Sequence, residues 1–195
     1  MITMARKYEF RPDSDRKGLL QRLYLTQQQR RSLLKWVLYA LLLTVLSVLQ
    51  DVILTPARLF GASTDLVPCA IIVICITEGT EGGSVFALIA SLLYLFSGTA
   101  PGPYAMVFIT LLAVLVSAFR QGYLHKGFAA SMLCTGAAML VYELAVFIVG
   151  LFLDLTSPGR LLSFVLTAVF SMIAAPLLYL LAKAISAIGG QSWKD

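Results

Sequence analysis

The chain has 195 residues, of which 59% are hydrophobic and only 13% are charged. A soluble domain is usually about 45–50% apolar and about 25% charged, so this composition excludes an ordinary soluble protein and indicates a multi-pass membrane protein. The formal net charge of +5 is concentrated at the N-terminus, where residues 1–35 contain nine of the fifteen lysines and arginines.

Residues 1–35 are predicted to form a basic cytoplasmic arm. No aromatic platform for bases accompanies its charges, so we expect anionic lipid and not nucleic acid as its partner. Within residues 17–36, a weakly amphipathic stretch could lie on the inner leaflet with its leucines in lipid. A solvated tail that only sets orientation is the alternative.

A transmembrane domain is predicted over residues 36–188, followed by a cytoplasmic tail at 189–195. A spanning helix needs about 20 mostly apolar residues. Four segments approach or exceed that length: Trp36–Leu54, Tyr104–Phe119, Phe128–Leu153 and Leu161–Ile188, the last with a kink expected at Pro176.

The remaining apolar region, Leu66–Phe96, is too long for one span, because a single helix would measure about 46 Å against a hydrocarbon core of about 30 Å. We expect it to break at the sequence EGTEGG, residues 78–83. The favoured interpretation is two short spans, Leu66–Thr77 and Ser84–Phe96, and six spans in total. A re-entrant hairpin is the alternative.

The distribution of basic residues predicts the orientation. Six spans would place thirteen lysines and arginines on the side of both termini and only Arg58 and Arg160 on the other. The positive-inside rule then puts both termini in the cytoplasm. The re-entrant alternative leaves this assignment unchanged.

The EGTEGG turn carries two glutamates between apolar helices. Gly79 suits the left-handed position that ends a helix, Thr80 is an acceptable N-cap for the next one, and Glu81 would lie in a first turn that favours an anion. Glu78 would lie in a last turn, where the helix dipole disfavours it. We expect Glu78 to reach water; the alternative is a docking contact with a cation.

Small residues recur at intervals of four at Gly79, Gly83, Ala87 and Ser91. This pattern allows close approach of helix backbones. It predicts either close packing inside the protein or a groove for the helix of a partner.

Glu143 lies near the middle of the fifth predicted span. Intramembrane carboxylates are costly and usually face a cavity or a partner. Asp51 with Gln50 is one candidate for a second polar group. We interpret Glu143 as a buried interaction group that is protonated or hydrogen-bonded, and not as part of an ion pump.

No catalytic or metal-binding arrangement emerges from the sequence. Cys69, Cys75 and Cys134 match no zinc spacing and are expected to be buried small side chains, and His125 is the only histidine. We therefore expect neither enzymatic activity nor a metal or cofactor.

The run from Thr64 to Gly98 resembles the second and third helices of the rod shape-determining protein MreD family, in its clostridial form. The match covers roughly residues 36–150. It is carried by Asp65, Leu66, Pro68, Glu78, Gly79, Gly83, Leu92, Leu93, Ser97 and Gly98. Ala87 and Ser91 replace glycines of that family, and Leu95 replaces an aspartate.

The resemblance implies an all-α integral membrane protein of about six transmembrane helices in the bacterial plasma membrane, similar in fold to the substrate-binding subunits of energy-coupling-factor transporters. It implies a non-enzymatic scaffold that binds MreC and, with MreB and the glycosyltransferase–transpeptidase pair, organises side-wall peptidoglycan synthesis. The partner or helix-packing candidates are Glu78, Gly79, Glu81, Gly83, Ala87, Ser91 and Glu143. A vitamin-binding transporter subunit is the alternative function.

Overall fold

The structure, a computed structural model, describes residues 27–54, 62–123 and 127–188, which form a bundle of helices. The expectations for the arm up to residue 26, for Arg58 and His125, and for the tail from residue 189 concern residues outside these ranges. The helices are α1 (Gln27–Leu49, continued by a π-helical turn, Gln50–Leu54), α2 (Leu66–Glu78), α3 (Thr80–Phe96), α4 (Pro103–Tyr123), α5 (Phe128–Phe152) and α6 (Leu161–Ile188, preceded by a short 3₁₀ turn, Pro158–Arg160).

Within the described ranges, four helices are long and apolar enough to cross a membrane: α1, α4, α5 and α6. They correspond to the four long segments predicted from sequence, and α6 has the predicted bounds. Helix α1 begins at Gln27, inside the residues assigned to the arm. The basic arm and the first helix therefore overlap over residues 27–35.

Helix α2 occupies the centre of the bundle. It packs against α1 and α3 through α6, and all of its residues except Thr77 are buried. Its sequence, LVPCAIIVICITE, is apolar on every side, as expected for a helix surrounded by protein. With thirteen residues it is about 20 Å long, shorter than a hydrocarbon core of about 30 Å.

The outer surface of the bundle is apolar. On α1, large hydrophobic side chains recur along one face, with Val37 60% exposed, Leu41 59% and Val45 54%. Comparable side chains are exposed on α3 through α6. A soluble protein rarely leaves so continuous an apolar surface to water, so these faces are those of a multi-pass membrane protein.

The turn between α2 and α3 consists of one residue outside the helices, Gly79. Its φ of 85° and ψ of −179° lie in a region open almost only to glycine. The predicted N-cap role of Thr80 is wrong, because Gly79 holds that position and Thr80 is already helical. Glu81 lies in the first turn of α3 as predicted, and it is exposed.

The small-residue face of α3 packs inside the protein. A Cβ added to Gly83 would lie 2.8–2.9 Å from the sulfur, Cα and carbonyl oxygen of Cys75 on α2. Ala87 and Ser91 are fully buried, and the Ser91 hydroxyl is 2.8 Å from that of Thr110 on α4. The structure therefore shows the internal-packing alternative, in which α2 and α4 lie against this face.

Candidate functional site: polar clusters at the two ends of helix α2

Three buried polar side chains meet at the C-terminal end of α2, and we call them the Glu78 cluster: Lys35, Tyr39 and Glu78. The Lys35 Nζ lies 2.5 Å from Oε2 of Glu78, and the Tyr39 hydroxyl donates to Oε1 at 2.7 Å. The charged side chains are only 6% and 1% exposed. The expectation that Glu78 reaches water is therefore wrong; it pairs with a cation of its own chain.

The Glu78 cluster also joins a third helix and an aromatic group. The Tyr39 hydroxyl is 3.0 Å from the carbonyl oxygen of Ala182 on α6. The rings of Trp36 and Tyr39 lie 5.6 and 5.7 Å from that of Phe86 on α3. These contacts hold the third and fourth turns of α1 against α2, α3 and α6.

Arg120 supplies a second cation at the same end of α2. Its Nη1 donates to the carbonyl oxygen of Ile76 at 2.7 Å. The last carbonyl groups of a helix lack partners within it and carry partial negative charge, so a guanidinium group stabilises them. The charge count placed Arg120 in a loop, whereas it lies in the last turn of α4.

The N-terminal end of α2 is held by polar side chains of two other helical segments. The N–H of Asp65 donates to the hydroxyl of Ser171 on α6 at 2.8 Å, and the N–H of Val67 donates to Oε1 of Gln50 at 3.0 Å. Ser171 lies ten residues after α6 begins. Helix α6 therefore extends about 15 Å beyond the start of α2, which places this end of α2 inside the bundle.

Glu143 meets Asp65 at this end of α2. The two carboxyl groups lie close enough to interact with each other. Glu143 is 3% exposed, and its Oε1 has no hydrogen-bond partner among the described residues. Asp65, which precedes the first residue of α2, is partly buried. We call Asp65 and Glu143 the acid pair.

Two tyrosines complete the surroundings of the acid pair. Tyr94 of α3 and Tyr142 of α5 are each 1% exposed, and both lie close enough to interact with the two carboxyl groups. The hydroxyl of Tyr142 has no hydrogen-bond partner in the described part of the chain.

The prediction that Glu143 is buried is confirmed, but its neighbour was missed. Asp65, and not the proposed Asp51, is the acid that acts on Glu143. Gln50 does reach this end of α2, through its bond to Val67. The sequence DLVP does show an acid directly before an apolar helix. The depth of Asp65 in the bundle, however, depends on how the helices pack, which the sequence does not show.

The described residues contain no group of three or more His, Cys, Asp or Glu side chains arranged to hold a metal ion. Cys69, Cys75 and Cys134 are free and buried, as predicted. Comparison of the chain with models of known families, with curated proteins and with solved structures gives no match.

Proposed function

We propose that this protein is a non-enzymatic membrane scaffold of the cell-elongation machinery, similar to MreD, that binds an MreC-like membrane protein. In this role it helps organise side-wall peptidoglycan synthesis together with MreB and the glycosyltransferase–transpeptidase pair. The basic arm contributes by binding anionic lipid at the inner leaflet.

The proposal is supported by the positions in the structure of the residues that carry the resemblance to MreD. Glu78 forms the buried ion pair with Lys35, Gly79 forms the one-residue turn, and Gly83 allows α3 to contact α2. Asp65 and Pro68 lie at the start of α2. These positions build the central hairpin, so the resemblance rests on residues that shape the fold.

We further propose six crossings with both termini in the cytoplasm. Glu78 lies beside Lys35, where the apolar part of α1 begins, and Ile76 lies beside Arg120 at the end of α4. These contacts support a position of the α2–α3 turn at the membrane surface, at the level where the apolar part of α1 begins. Helix α2 can be shorter than the hydrocarbon core because its N-terminal end lies inside the bundle and does not reach the opposite surface.

Single cysteines test this topology in a background lacking the native cysteines. An impermeant reagent applied to intact cells should label Thr99→Cys and leave Ser14→Cys, Glu81→Cys and Ser192→Cys unlabelled. All four should react in permeabilised cells. Labelling of Ser192→Cys in intact cells would mean an odd number of spans. Protection of Glu81→Cys even after permeabilisation would favour the re-entrant hairpin.

The scaffold function is tested by capture of the intact protein from native membranes, with the bound proteins identified. Recovery of an MreC-like protein supports the proposal, and recovery of a paired transporter ATPase contradicts it. Purified protein should turn over neither nucleotide nor lipid-linked cell-wall precursor. Turnover that disappears in Glu143→Gln would contradict a non-enzymatic role.

A substrate-binding subunit of an energy-coupling-factor transporter is the second candidate. The acid pair and its two buried tyrosines favour it, because a polar group inside a bundle is suited to bind a small molecule. Against it, α1 lacks the Ala-xxx-Ala surface expected for docking on a coupling module. Mass spectrometry of purified protein decides between them, since a transporter subunit should retain a vitamin at equimolar amounts.

A further inference from the structure

The acid pair and the two tyrosines beside it form a polar group inside the bundle, and the scaffold proposal gives this group no role. Glu143 and Tyr142 are 3% and 1% exposed, and each has a polar oxygen without a hydrogen-bond partner among the described residues. Leaving a buried polar group without a partner is unfavourable, and such groups are rare in proteins. One residue is an acid and the other a phenol, so a missing counter-charge for Glu143 would not by itself account for the unpaired hydroxyl of Tyr142.

No basic side chain of the described residues balances the acid pair. Among the described residues, no lysine, arginine or histidine acts on either carboxyl group. Polar side chains of four helical segments surround the pair. Tyr94 and Tyr142 interact with both carboxyl groups, Ser171 accepts from the N–H of Asp65, and Gln50 accepts from the N–H of Val67. Ser171 already donates its hydrogen to the Thr167 carbonyl, so it offers the acids none.

A hard cation matches this set of ligands. Carboxylate, hydroxyl and carbonyl oxygens are ligands for hard cations, whereas softer metals prefer sulfur and imidazole. Calcium takes 6–8 oxygen ligands and magnesium keeps several of its waters, and the described chain brings only two acids together here. A singly charged ion makes smaller demands on ligand number and charge.

We propose that the acid pair, with the hydroxyl oxygens of Tyr94 and Tyr142, binds a sodium-sized monovalent cation. The ion accepts lone pairs from Oε1 of Glu143 and from the Tyr142 hydroxyl, the two groups that otherwise lack partners. It joins α2, α3 and α5 at the buried N-terminal end of α2 and stabilises the bundle there.

Thermal unfolding of the intact protein in detergent tests the proposal. Sodium chloride is compared with choline chloride and potassium chloride at equal ionic strength, so that screening is constant. At about ten times the dissociation constant, sodium should raise Tm by about 3 °C or more relative to choline. Equal Tm values in sodium and choline overturn the proposal, as does stabilisation by calcium alone.

Tyr142→Phe is the informative variant because it removes one oxygen and no charge. If the hydroxyl does not bind the ion, its loss leaves the difference in Tm between sodium and choline unchanged. If it binds the ion, the sodium response falls well below that of the wild type. An unchanged response in Tyr142→Phe and in Glu143→Gln together overturns the proposal.

Glu81→Gln is the matched control, because Glu81 is an exposed acid of α3. It should keep the full sodium response. Since Glu143→Gln could fail to fold, equilibrium binding of radioactive sodium to the wild type and to Tyr142→Phe provides a second measurement. Saturable binding near one ion per protein, weakened in Tyr142→Phe, supports the proposal, and its absence in the wild type overturns it.

Discussion

Lys35 and Glu78 form a buried ion pair across 43 residues of sequence, with Nζ 2.5 Å from Oε2. The pair joins the third turn of α1 to the last residue of the central helix, α2. Removing one member of a buried pair leaves an uncompensated charge, which costs more than the intact pair contributes. This asymmetry makes the pair suitable for a double-mutant cycle.

We expect Lys35→Met and Glu78→Gln each to lower the free energy of unfolding by about 3–5 kcal/mol. The double variant should recover a large part of that loss, with a coupling energy above about 2 kcal/mol. Denaturant unfolding in mixed micelles measures all four proteins. Additive losses would show that the two side chains do not depend on each other, and Glu81→Gln should behave as the wild type.

Tyr39→Phe removes the hydroxyl that donates to Glu78 and lies beside the Ala182 carbonyl. We expect a loss of about 1.5–3 kcal/mol, the range for hydrogen bonds to charged groups. Tyr104→Phe is the control, because its partly exposed hydroxyl makes one long bond of 3.2 Å to Pro101. Its effect should stay within about 0.5 kcal/mol. Equal effects in both variants would contradict a special role for Tyr39.

Gly83→Ala tests the close contact of α3 with α2. The added methyl group would lie 2.9 Å from backbone atoms of Cys75, which cannot move aside as a flexible side chain can. Overpacking of this kind costs about 1–3 kcal/mol. Gly122→Ala, in α4 with open space around it, should instead be neutral or stabilising by up to about 1 kcal/mol. Similar unfolding curves for the two variants would argue against the contact.

Ala87→Leu separates internal packing from partner binding. Ala87 is fully buried, so the larger side chain should lower the protein's own stability by about 1–3 kcal/mol. At a temperature where the variant stays folded, an MreC-like partner should still co-purify with it in mild detergent. Loss of the partner from a variant that unfolds at the wild-type temperature would restore the groove hypothesis.

The sequence by itself determined the class of the protein and the main helices. Runs of about 20 apolar residues can be stable only in a membrane or a core, so α1, α4, α5 and α6 follow from local composition. Leu161–Ile188 was predicted with its observed bounds. The break after Glu78 followed from helix length. A glycine at the turn was predicted too, but for a left-handed helical cap, whereas Gly79 has a ψ of −179°.

The tertiary structure alone decided which polar groups meet. The sequence places Glu78 at the end of a helix, where it is expected to reach water, yet packing of α1 against α2 brings Lys35 to it and buries both. Asp65 and Glu143 stand far apart in sequence, and their contact depends on the depth at which α2 sits beside α5. Helix periodicity describes one helix at a time, and the relative depth of two helices is set by the packing of all their neighbours.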